Sequence, residues 1–184
     1  MNISEVVMKR RSIRSYQDKP VSDDDLAKIL KAGQWAPNAG EYNLSVIRNK
    51  DLMARGNEKT LEVMRNSGNE FLMGRAALPG YLPLYGAPVV IFLSGPPEIA
   101  HTQLNCAVSV ENMLLQATEL GLGSVFLRSA SYALNMPDNA AMAVEAGIPA
   151  GYKMECGMAL GYTDDETKFA RMEREPRGTV ARID

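Results

Sequence analysis

The chain has 184 residues, of which 46% are hydrophobic, and its formal net charge is −2. This length suits one well-buried domain, and the hydrophobic content argues against a disordered chain. The near-neutral charge excludes a global attraction to nucleic acid or to an anionic membrane surface, so we expect neither as a partner.

The first predicted helix runs from Ser4 to about Lys9, with Asn2 or Ser4 as its N-cap. Only a few apolar residues precede its basic end, which is the reverse of the order in a secretory signal peptide. The longest apolar runs, such as 87–93, are far shorter than the roughly 20 residues of a membrane-spanning helix. We therefore expect a cytoplasmic protein.

The second predicted helix has clear signals at both ends. Ser22 can cap it, and the aspartates at 23–25 favour the positive start of a helix. Lys28 and Lys31 interact favourably with the negative C-terminal end of the helix dipole, and Gly33 is predicted to terminate the helix.

The centre of the chain predicts helices around a buried strand. Residues 51–75 form one or two amphipathic helices by pattern. Val89–Leu93 is a continuous apolar run, typical of a strand covered on both faces. Leu104–Leu120 is apolar nearly all round, so this helix is expected in the interior or in a subunit interface.

The C-terminal third predicts two further strands. Gly121 and Gly123 end the long helix, and Ser124–Leu127 forms the next strand. A short helix follows Pro137, and Met154–Tyr162 forms the last strand.

Two glycines in that last strand, Gly157 and Gly161, permit a close backbone approach. The tail, 163–184, is polar and has little apolar surface to bury. It is therefore either disordered or packed against another subunit.

Cysteine and histidine usage gives little support to metal or hydrolase chemistry. Cys106 and Cys156 lie fifty positions apart in apolar sequence, which favours buried structural thiols. His101 is the single histidine and is expected at the surface, and no G-x-S-x-G nucleophile motif is present. We expect no metal ligands.

The sharpest local feature is the basic segment Lys9–Arg14 at the end of the first helix. Helix capping accounts for one or two cations there, but four lie within six positions. Alternation along an extended chain would place Arg10, Ser12 and Arg14 on one side, where they could bind a phosphate. A solvated basic surface is the alternative.

Several weak motifs follow one another along nearly the whole chain. They are R-R-S-x-R at 10–14, A-P-x-A-G at 36–40, the long helix from 105 to 117, L-G-L-G-S at 120–124, G-I-P at 147–149 and M-A-L-G-Y at 158–162. In this order they resemble the nitroreductase family.

The resemblance implies an α+β fold, with a mixed central sheet flanked by helices, over the single domain 1–184. It implies an intimate homodimer that exchanges the tail, 163–184, and holds two FMN molecules in clefts at the interface. The flavin carries the chemistry, so no catalytic side chain is expected. NADH or NADPH is the implied co-substrate, and the electron acceptor is a small conjugated molecule.

By resemblance, the FMN phosphate and polar atoms at the ring side would contact Arg10 and Arg14, with Ser12 hydrogen-bonding beside them. In the tail, Lys168 and Arg171 fall where the family places cations that complete the phosphate site. Ordinary surface charge is the alternative for these two residues, because acidic residues flank them.

The isoalloxazine ring would meet main-chain groups at 127–129, the Asn69 amide, and the loop at 37–40 from the partner subunit. The implied cofactor-binding residues are Arg10, Arg11, Ser12, Arg14, Pro37, Asn38, Ala39, Gly40, Asn43, Asn69, Leu127, Arg128, Ser129, Lys168 and Arg171.

Two departures from the family pattern affect the expected chemistry. The stretch 41–45 replaces an N-x-Q-P-W type loop, and Glu41 stands where a neutral amide is common. Arg128 follows the strand where many members have a small residue. It could add positive charge beneath the flavin or pair with Glu111.

These features predict an oxidoreductase that passes electrons from NAD(P)H to a nitroaromatic, a quinone or a similar acceptor in ping-pong order. The altered 41–45 stretch motivates an alternative, a protein that stores FMN or transfers electrons with little NAD(P)H turnover. A third hypothesis, specialised chemistry such as reductive dehalogenation, would call for a lid insertion, for which the chain has little room.

Overall fold

The computed structural model describes residues 1–165, 170 and 177–183. In chain order the helices and strands are α1 (Ile3–Lys9), α2 (Asp23–Gln34), β1 (Asn43–Ile47), α3 (Lys50–Arg65), α4 (Glu70–Ala76), β2 (Val89–Gly95), α5 (Thr102–Glu119), β3 (Gly123–Leu127), α6 (Ser131–Leu134), a 3₁₀ turn (Pro137–Asn139), α7 (Ala140–Glu145) and β4 (Lys153–Gly161). Among these described residues, no helix is long and apolar enough to cross a membrane.

The four strands form one sheet in the order β1-β2-β4-β3, and all three pairings are antiparallel. Parallel pairing within the described residues is confined to an isolated bridge between Ser12 and Ser124, beside β3. The α+β class is confirmed. The sheet was expected to be mixed, and its parallel pairing in the described residues consists of this single bridge.

The sheet is covered on both faces, as the apolar run in β2 predicts. Val90 and Phe92 face the core that α3, α6 and α7 complete. Ile91 and Leu93 face the core that α2 and α5 complete, where Val110 of α5 is fully buried. Alternate residues of one strand thus enter two different cores.

The predicted caps are confirmed at the first two helices. The Asn2 side chain accepts from the Glu5 backbone N–H at 3.0 Å, so α1 begins one residue earlier than predicted. Ser22 caps α2 by accepting from Asp25 N–H at 3.1 Å. Gly33, however, does not end α2, which continues to Gln34. A Cβ at Gly33 would lie 2.8 Å from Met113 Cγ, so this glycine permits α2 and α5 to pack closely.

The sequence analysis treated 41–45 as a loop, but only residues 41 and 42 lie outside a strand. Its last three residues belong to β1, an edge strand paired with β2 from Asn43↔Ser94 to Ile47↔Val90. Cys106 and Cys156 are buried, and His101 is exposed, as predicted.

Candidate functional site

The segment that follows α1 runs beside β3 and carries the first site residues. Ile13 N–H donates to Ser124 O at 2.9 Å, and the Ile13 side chain is buried. Ser12 and Arg14 are exposed, so the alternation expected for these two residues is confirmed. The segment is held from behind by Tyr16, whose hydroxyl donates to Ile13 O at 2.7 Å. Burial raises the pKa of the Tyr16 phenol, which therefore stays a hydrogen-bond donor.

Arg10 turns towards α5. Its Nε lies 3.2 Å from Glu111 Oε1, which corrects the suggestion that Glu111 pairs with Arg128. Arg10 is the C-cap of α1, and its side chain is 24% exposed. Arg11 beside it is half-buried. The ion pair uses the Nε end of the Arg10 fork, and a guanidinium has further N–H donors on its terminal nitrogens.

A cleft of about 170 Å³ opens where β3 ends, and we call it the β3 cleft. It is bounded by α3, α4, the 77–88 loop and the start of α6. In the described part of the chain its charged lining residues are Arg75 and Arg128. The lining residues are Met64, Phe71, Leu72, Arg75, Tyr81, Tyr85, Phe126, Leu127, Arg128, Ser129 and Tyr132.

Two tyrosines and two arginines form a contact network at one wall of this cleft. Arg75 Cζ lies 4.7 Å from the ring centroid of Tyr81, and Arg75 Nη2 donates to the Tyr85 hydroxyl at 3.1 Å. Arg14 Cζ lies 5.8 Å from the Tyr85 ring centroid, which ties the 10–14 segment to the cleft. Burial raises the pKa of the Tyr81 phenol, so this ring is neutral at physiological pH.

Two hydrogen bonds hold the loop that carries both tyrosines. Asn57, buried in α3, accepts from Leu84 N–H at 2.9 Å, and Ser129 Oγ donates to Pro83 O at 3.3 Å. Tyr85 adopts a φ of 57°, a conformation that non-glycine residues rarely hold unless their surroundings impose it. The cleft wall is therefore preorganised.

The predicted loop at 37–40 is exposed but lies outside the lining of the β3 cleft. Asn105, at the start of α5, holds it by two hydrogen bonds. Its Oδ1 accepts from Ala39 N–H at 3.2 Å and its Nδ2 donates to Ala39 O at 3.1 Å. Asn38 bonds within the loop, to Ala36 O at 3.1 Å.

Replacing Asn105 with alanine should loosen this loop. Asn105 is 5% exposed, and its loss leaves both polar groups of Ala39 without their partner. We expect the free energy of unfolding to fall by about 1–3 kcal/mol, measured by urea denaturation, and the Ala39 amide to exchange faster. Asn112→Ala is the control, because Asn112 on the same helix donates one bond, to Ala32 O. Unchanged exchange at Ala39 in the Asn105 variant would contradict the assignment.

Asn43 and Asn69 are engaged in local structure. Asn43 Nδ2 donates to Ser45 Oγ at 2.8 Å and to Gly147 O at 3.0 Å. Asn69 caps α4 by accepting from Leu72 N–H at 3.1 Å, so it begins the helix that forms one wall of the cleft. Neither asparagine lines the cleft itself.

Of the remaining predicted residues, 127–129 do reach the cleft. Leu127 is buried at the end of β3, and the chain then turns outward so that Arg128 is exposed. Lys168 and Arg171 lie outside the described residues.

Several residues of this region were missed by the sequence analysis. Arg75, Tyr81 and Tyr85 line the cleft. Arg75 ends the segment 51–75 that was predicted as helical, and the two tyrosines belong to an irregular loop that has no periodic pattern. Asn105 stood within a recognised helix motif, and an amide side chain in a segment that is apolar nearly all round was the signal that could have singled it out, because a buried polar group needs hydrogen-bond partners.

The chain is similar to known proteins over most of its length. Residues 7–162 match the profile described as "Nitroreductase family". A protein of Archaeoglobus fulgidus named "Putative NADH dehydrogenase/NAD(P)H nitroreductase" is 32% identical over 171 residues, 89% of this chain and 87% of that protein. An "NADPH-flavin oxidoreductase" of Vibrio harveyi is 26% identical over 170 residues, 89% of this chain and 66% of that protein.

A solved structure extends the similarity to the fold. The crystal structure of a nitroreductase with bound FMN from Bacteroides fragilis is 27% identical, covers 100% of both chains and superposes with a TM-score of 0.87. Sequence and fold agree, and the chain belongs to the nitroreductase family.

Proposed function

We propose that this protein is an FMN-dependent oxidoreductase that carries electrons from NAD(P)H to a small conjugated acceptor such as a nitroaromatic or a quinone. FMN, when bound, would supply the redox chemistry between the nicotinamide and the acceptor. The proposal draws on relatives named for NAD(P)H and flavin activity and on an FMN-bound structural neighbour. The observation that carries it is the Ser12–Ser124 bridge, which lays the basic segment beside the strand that ends at the β3 cleft.

The chemistry of the donor set fits a flavin phosphate. Ser12 and Arg14 are exposed on one side of an extended segment, and Arg10 stands at its start. A hydroxyl and two guanidinium groups are suitable donors for a phosphate dianion. In this proposal they bind and orient the nucleotide end of the cofactor, and Lys168 and Arg171 add further cations.

The β3 cleft fits the planar end of the same cofactor. Phe126, Tyr85 and Tyr132 offer flat surfaces, and the main chain at 127–129 runs past them. A cleft of about 170 Å³ is smaller than the roughly 300–1,000 Å³ of typical small-molecule sites. One chain therefore supplies only part of the binding site.

A homodimer would supply the rest. Ile3 and Val7 of α1 and Leu104 and Val108 of α5 are exposed apolar residues, and the two helices pack together. Exposed apolar residues on two packed helices support an interaction site there, because large exposed apolar patches are typical of interfaces. We propose that a second copy covers it, contributes its 37–40 loop to the flavin site and exchanges the 163–184 tail.

In this arrangement the residues of the cleft orient both substrates and exclude water. NAD(P)H and the acceptor would bind in turn at the same face of the flavin ring, which gives ping-pong kinetics. A cytoplasmic location is part of the proposal, because NAD(P)H is the electron source.

The purified protein should be yellow or should take up added FMN, and anaerobic NADH or NADPH should bleach the flavin absorbance. Colourless protein that refuses micromolar FMN would contradict the proposal. Bound flavin that neither nucleotide reduces would instead support the storage or electron-transfer alternative. The altered stretch 41–45 still motivates that alternative, although 43–45 belong to β1.

A further inference from the structure

We propose that the Tyr16 hydroxyl positions Arg14 for the cofactor phosphate, and that it thereby sets the preference of this protein for FMN over riboflavin, the same flavin without a phosphate. The inference rests on the proposed function and deepens it. Tyr16 lies outside the set of residues implied to contact the cofactor, and it acts through the backbone of the 10–14 segment.

The Tyr16 hydroxyl links the 10–14 segment to the centre of the sheet. It donates to Ile13 O at 2.7 Å, and Ala159 O of β4 lies 3.4 Å from the same hydroxyl oxygen. A phenol has one proton, so the short contact to Ile13 O is the principal hydrogen bond and the contact to Ala159 O is secondary. Ala159 is fully buried in a strand that is paired on both sides. The hydroxyl therefore holds the Ile13 carbonyl in a fixed position relative to the sheet.

Both polar backbone groups of Ile13 are engaged. Its N–H donates to Ser124 O at 2.9 Å, and its carbonyl accepts from Tyr16. The Ile13 carbonyl and the Arg14 N–H belong to one planar trans peptide unit, in which the two groups point in opposite directions. The Arg14 N–H therefore points away from Tyr16. Loss of the hydroxyl would free this peptide to rotate, and the start of the Arg14 side chain would move with it.

The side-chain contacts of Arg14 in the described part of the chain are long. Its Nη1 lies 3.4 Å from Ser12 O, and its Cζ lies 5.8 Å from the Tyr85 ring centroid. Charge-assisted N–H···O bonds to a phosphate have lengths of about 2.7–2.9 Å, so their strength depends on where the guanidinium is placed. Because the side chain is exposed and loosely held, that placement depends on the backbone that Tyr16 anchors.

The surroundings of the Tyr16 ring keep its hydroxyl in one place. The ring packs against the core that α3, α6 and α7 complete. A Cβ at Gly161 would lie 3.0 Å from Tyr16 Cδ1 and 2.7 Å from Pro88 Cδ, so the glycine leaves room for the ring. Burial raises the pKa of the phenol, with the Tyr85 phenol adding to the rise and the Arg14 cation opposing it. The hydroxyl therefore keeps its proton at physiological pH and lies close to Arg14.

The test compares the binding of two flavins that differ in the phosphate. Tyr16→Phe removes the hydroxyl and retains the ring, so the variant should fold. Titration of the flavin-free protein with FMN and with riboflavin, followed by flavin fluorescence, gives two dissociation constants. Wild type should bind FMN more tightly, because riboflavin lacks the phosphate. In Tyr16→Phe the FMN-to-riboflavin affinity ratio should fall by about 5- to 20-fold, while riboflavin affinity stays within about 2-fold of wild type.

A double-mutant cycle tests whether Tyr16 acts through Arg14. Arg14→Ala alone should lower the affinity ratio, because a charge-assisted contact is lost. Adding Tyr16→Phe to it should lower the ratio by less than about a further 2-fold, since the group that Tyr16 positions is already absent. If the two effects simply multiply, Tyr16 acts independently of Arg14 and the inference is overturned.

Thr118→Val is the matched control. Thr118 is buried, and its hydroxyl donates to Leu114 O at 2.9 Å within α5. Like Tyr16→Phe, the substitution removes a hydroxyl bonded to a main-chain carbonyl and changes the size of the side chain little. The FMN-to-riboflavin ratio should stay within about 2-fold of wild type in this variant.

Hydrogen exchange provides a readout without any flavin. The Ile13 amide, bonded to Ser124 O, should exchange faster in flavin-free Tyr16→Phe than in wild type. Equal losses of FMN and riboflavin affinity in Tyr16→Phe would show a structural role only and overturn the inference, as would an unchanged ratio. Wild-type protein that binds both flavins equally would contradict the phosphate site of the proposed function, and the inference would fall with it.

Discussion

Replacing Arg10 and Arg14 together with alanine is expected to weaken FMN binding by roughly 10²–10⁴-fold. Each lost charge-assisted hydrogen bond is worth about 1.5–3 kcal/mol, and about 1.4 kcal/mol corresponds to a tenfold change in affinity. The fold should survive, because Arg14 is exposed and Arg10 forms a partly exposed pair with Glu111. Exposed pairs of this kind contribute about 0–1 kcal/mol to stability.

The measurement is a fluorescence titration of the flavin-free variant with FMN, together with circular dichroism and sedimentation. Lys28→Ala combined with Lys31→Ala is the matched control, because it removes two positive charges from the exposed side of α2. FMN affinity equal to wild type in the Arg10/Arg14 variant would remove both residues from the phosphate site.

Glu111 complicates the interpretation of the Arg10 substitution and offers a way to resolve it. Once Arg10 is gone, the carboxylate that lay 3.2 Å from its Nε has lost its partner, and it would repel an incoming phosphate. Adding Glu111→Gln to the double variant removes this repulsion. If Arg10 itself binds the phosphate, most of the lost affinity should remain lost in the triple variant.

Local signals in the sequence predicted the helices better than the sheet edge. Asn2 and Ser22 are caps because a short polar side chain can satisfy the free N–H groups of a first turn, and this depends on few neighbours. β1 was missed because burial in this strand does not follow hydrophobicity: Ser45 is buried and Val46 is exposed. The strand exists through its pairing with β2. Gly33 was assigned to a helix end because the close approach of Met113, distant in sequence, was not visible.

The same distinction applies to the candidate site. Ser12 and Arg14 were predictable, since they lie within a few residues of each other and extended geometry alone decides which side they face. Arg75 and Tyr85 meet only because α4 and the loop before β2 fold back on each other, and no pattern in the sequence encodes that contact. The 37–40 loop illustrates a third case, because its proposed role depends on a second copy of the chain.

The centre of the sheet tolerates no side chain at Gly157, so Gly157→Ala should be strongly destabilising. A Cβ at this position would lie 2.3 Å from Ile91 O, a main-chain atom of the adjacent strand β2. Because that strand is buried and paired on both sides, it cannot move away without breaking its own hydrogen bonds. Overpacking in a core typically costs about 1–3 kcal/mol and occasionally more, and we expect a loss of at least about 3 kcal/mol here.

For a domain of this size, such a loss lowers the melting temperature by roughly 6–12 °C. Thermal and urea unfolding measure it, with Gly74→Ala as the control. Gly74 lies in α4 with no atom within 4 Å of an added Cβ, so alanine there should be neutral or stabilise by about 0.5–1 kcal/mol. A destabilisation below about 1 kcal/mol in Gly157→Ala would contradict the packing described.

The substitution should also reach the cofactor site, because Gly157 lies opposite Leu127 in the β3–β4 pairing. Any separation of β2 from β4 at Gly157 displaces the end of β3, and with it the main chain at 127–129 that lines the β3 cleft. We therefore expect weaker FMN retention in folded Gly157→Ala at low temperature, where unfolding does not contribute. Gly74→Ala, which leaves the strand pairing intact, should retain FMN as wild type does. Equal retention in both variants would show that the position of β3 is not transmitted to the flavin.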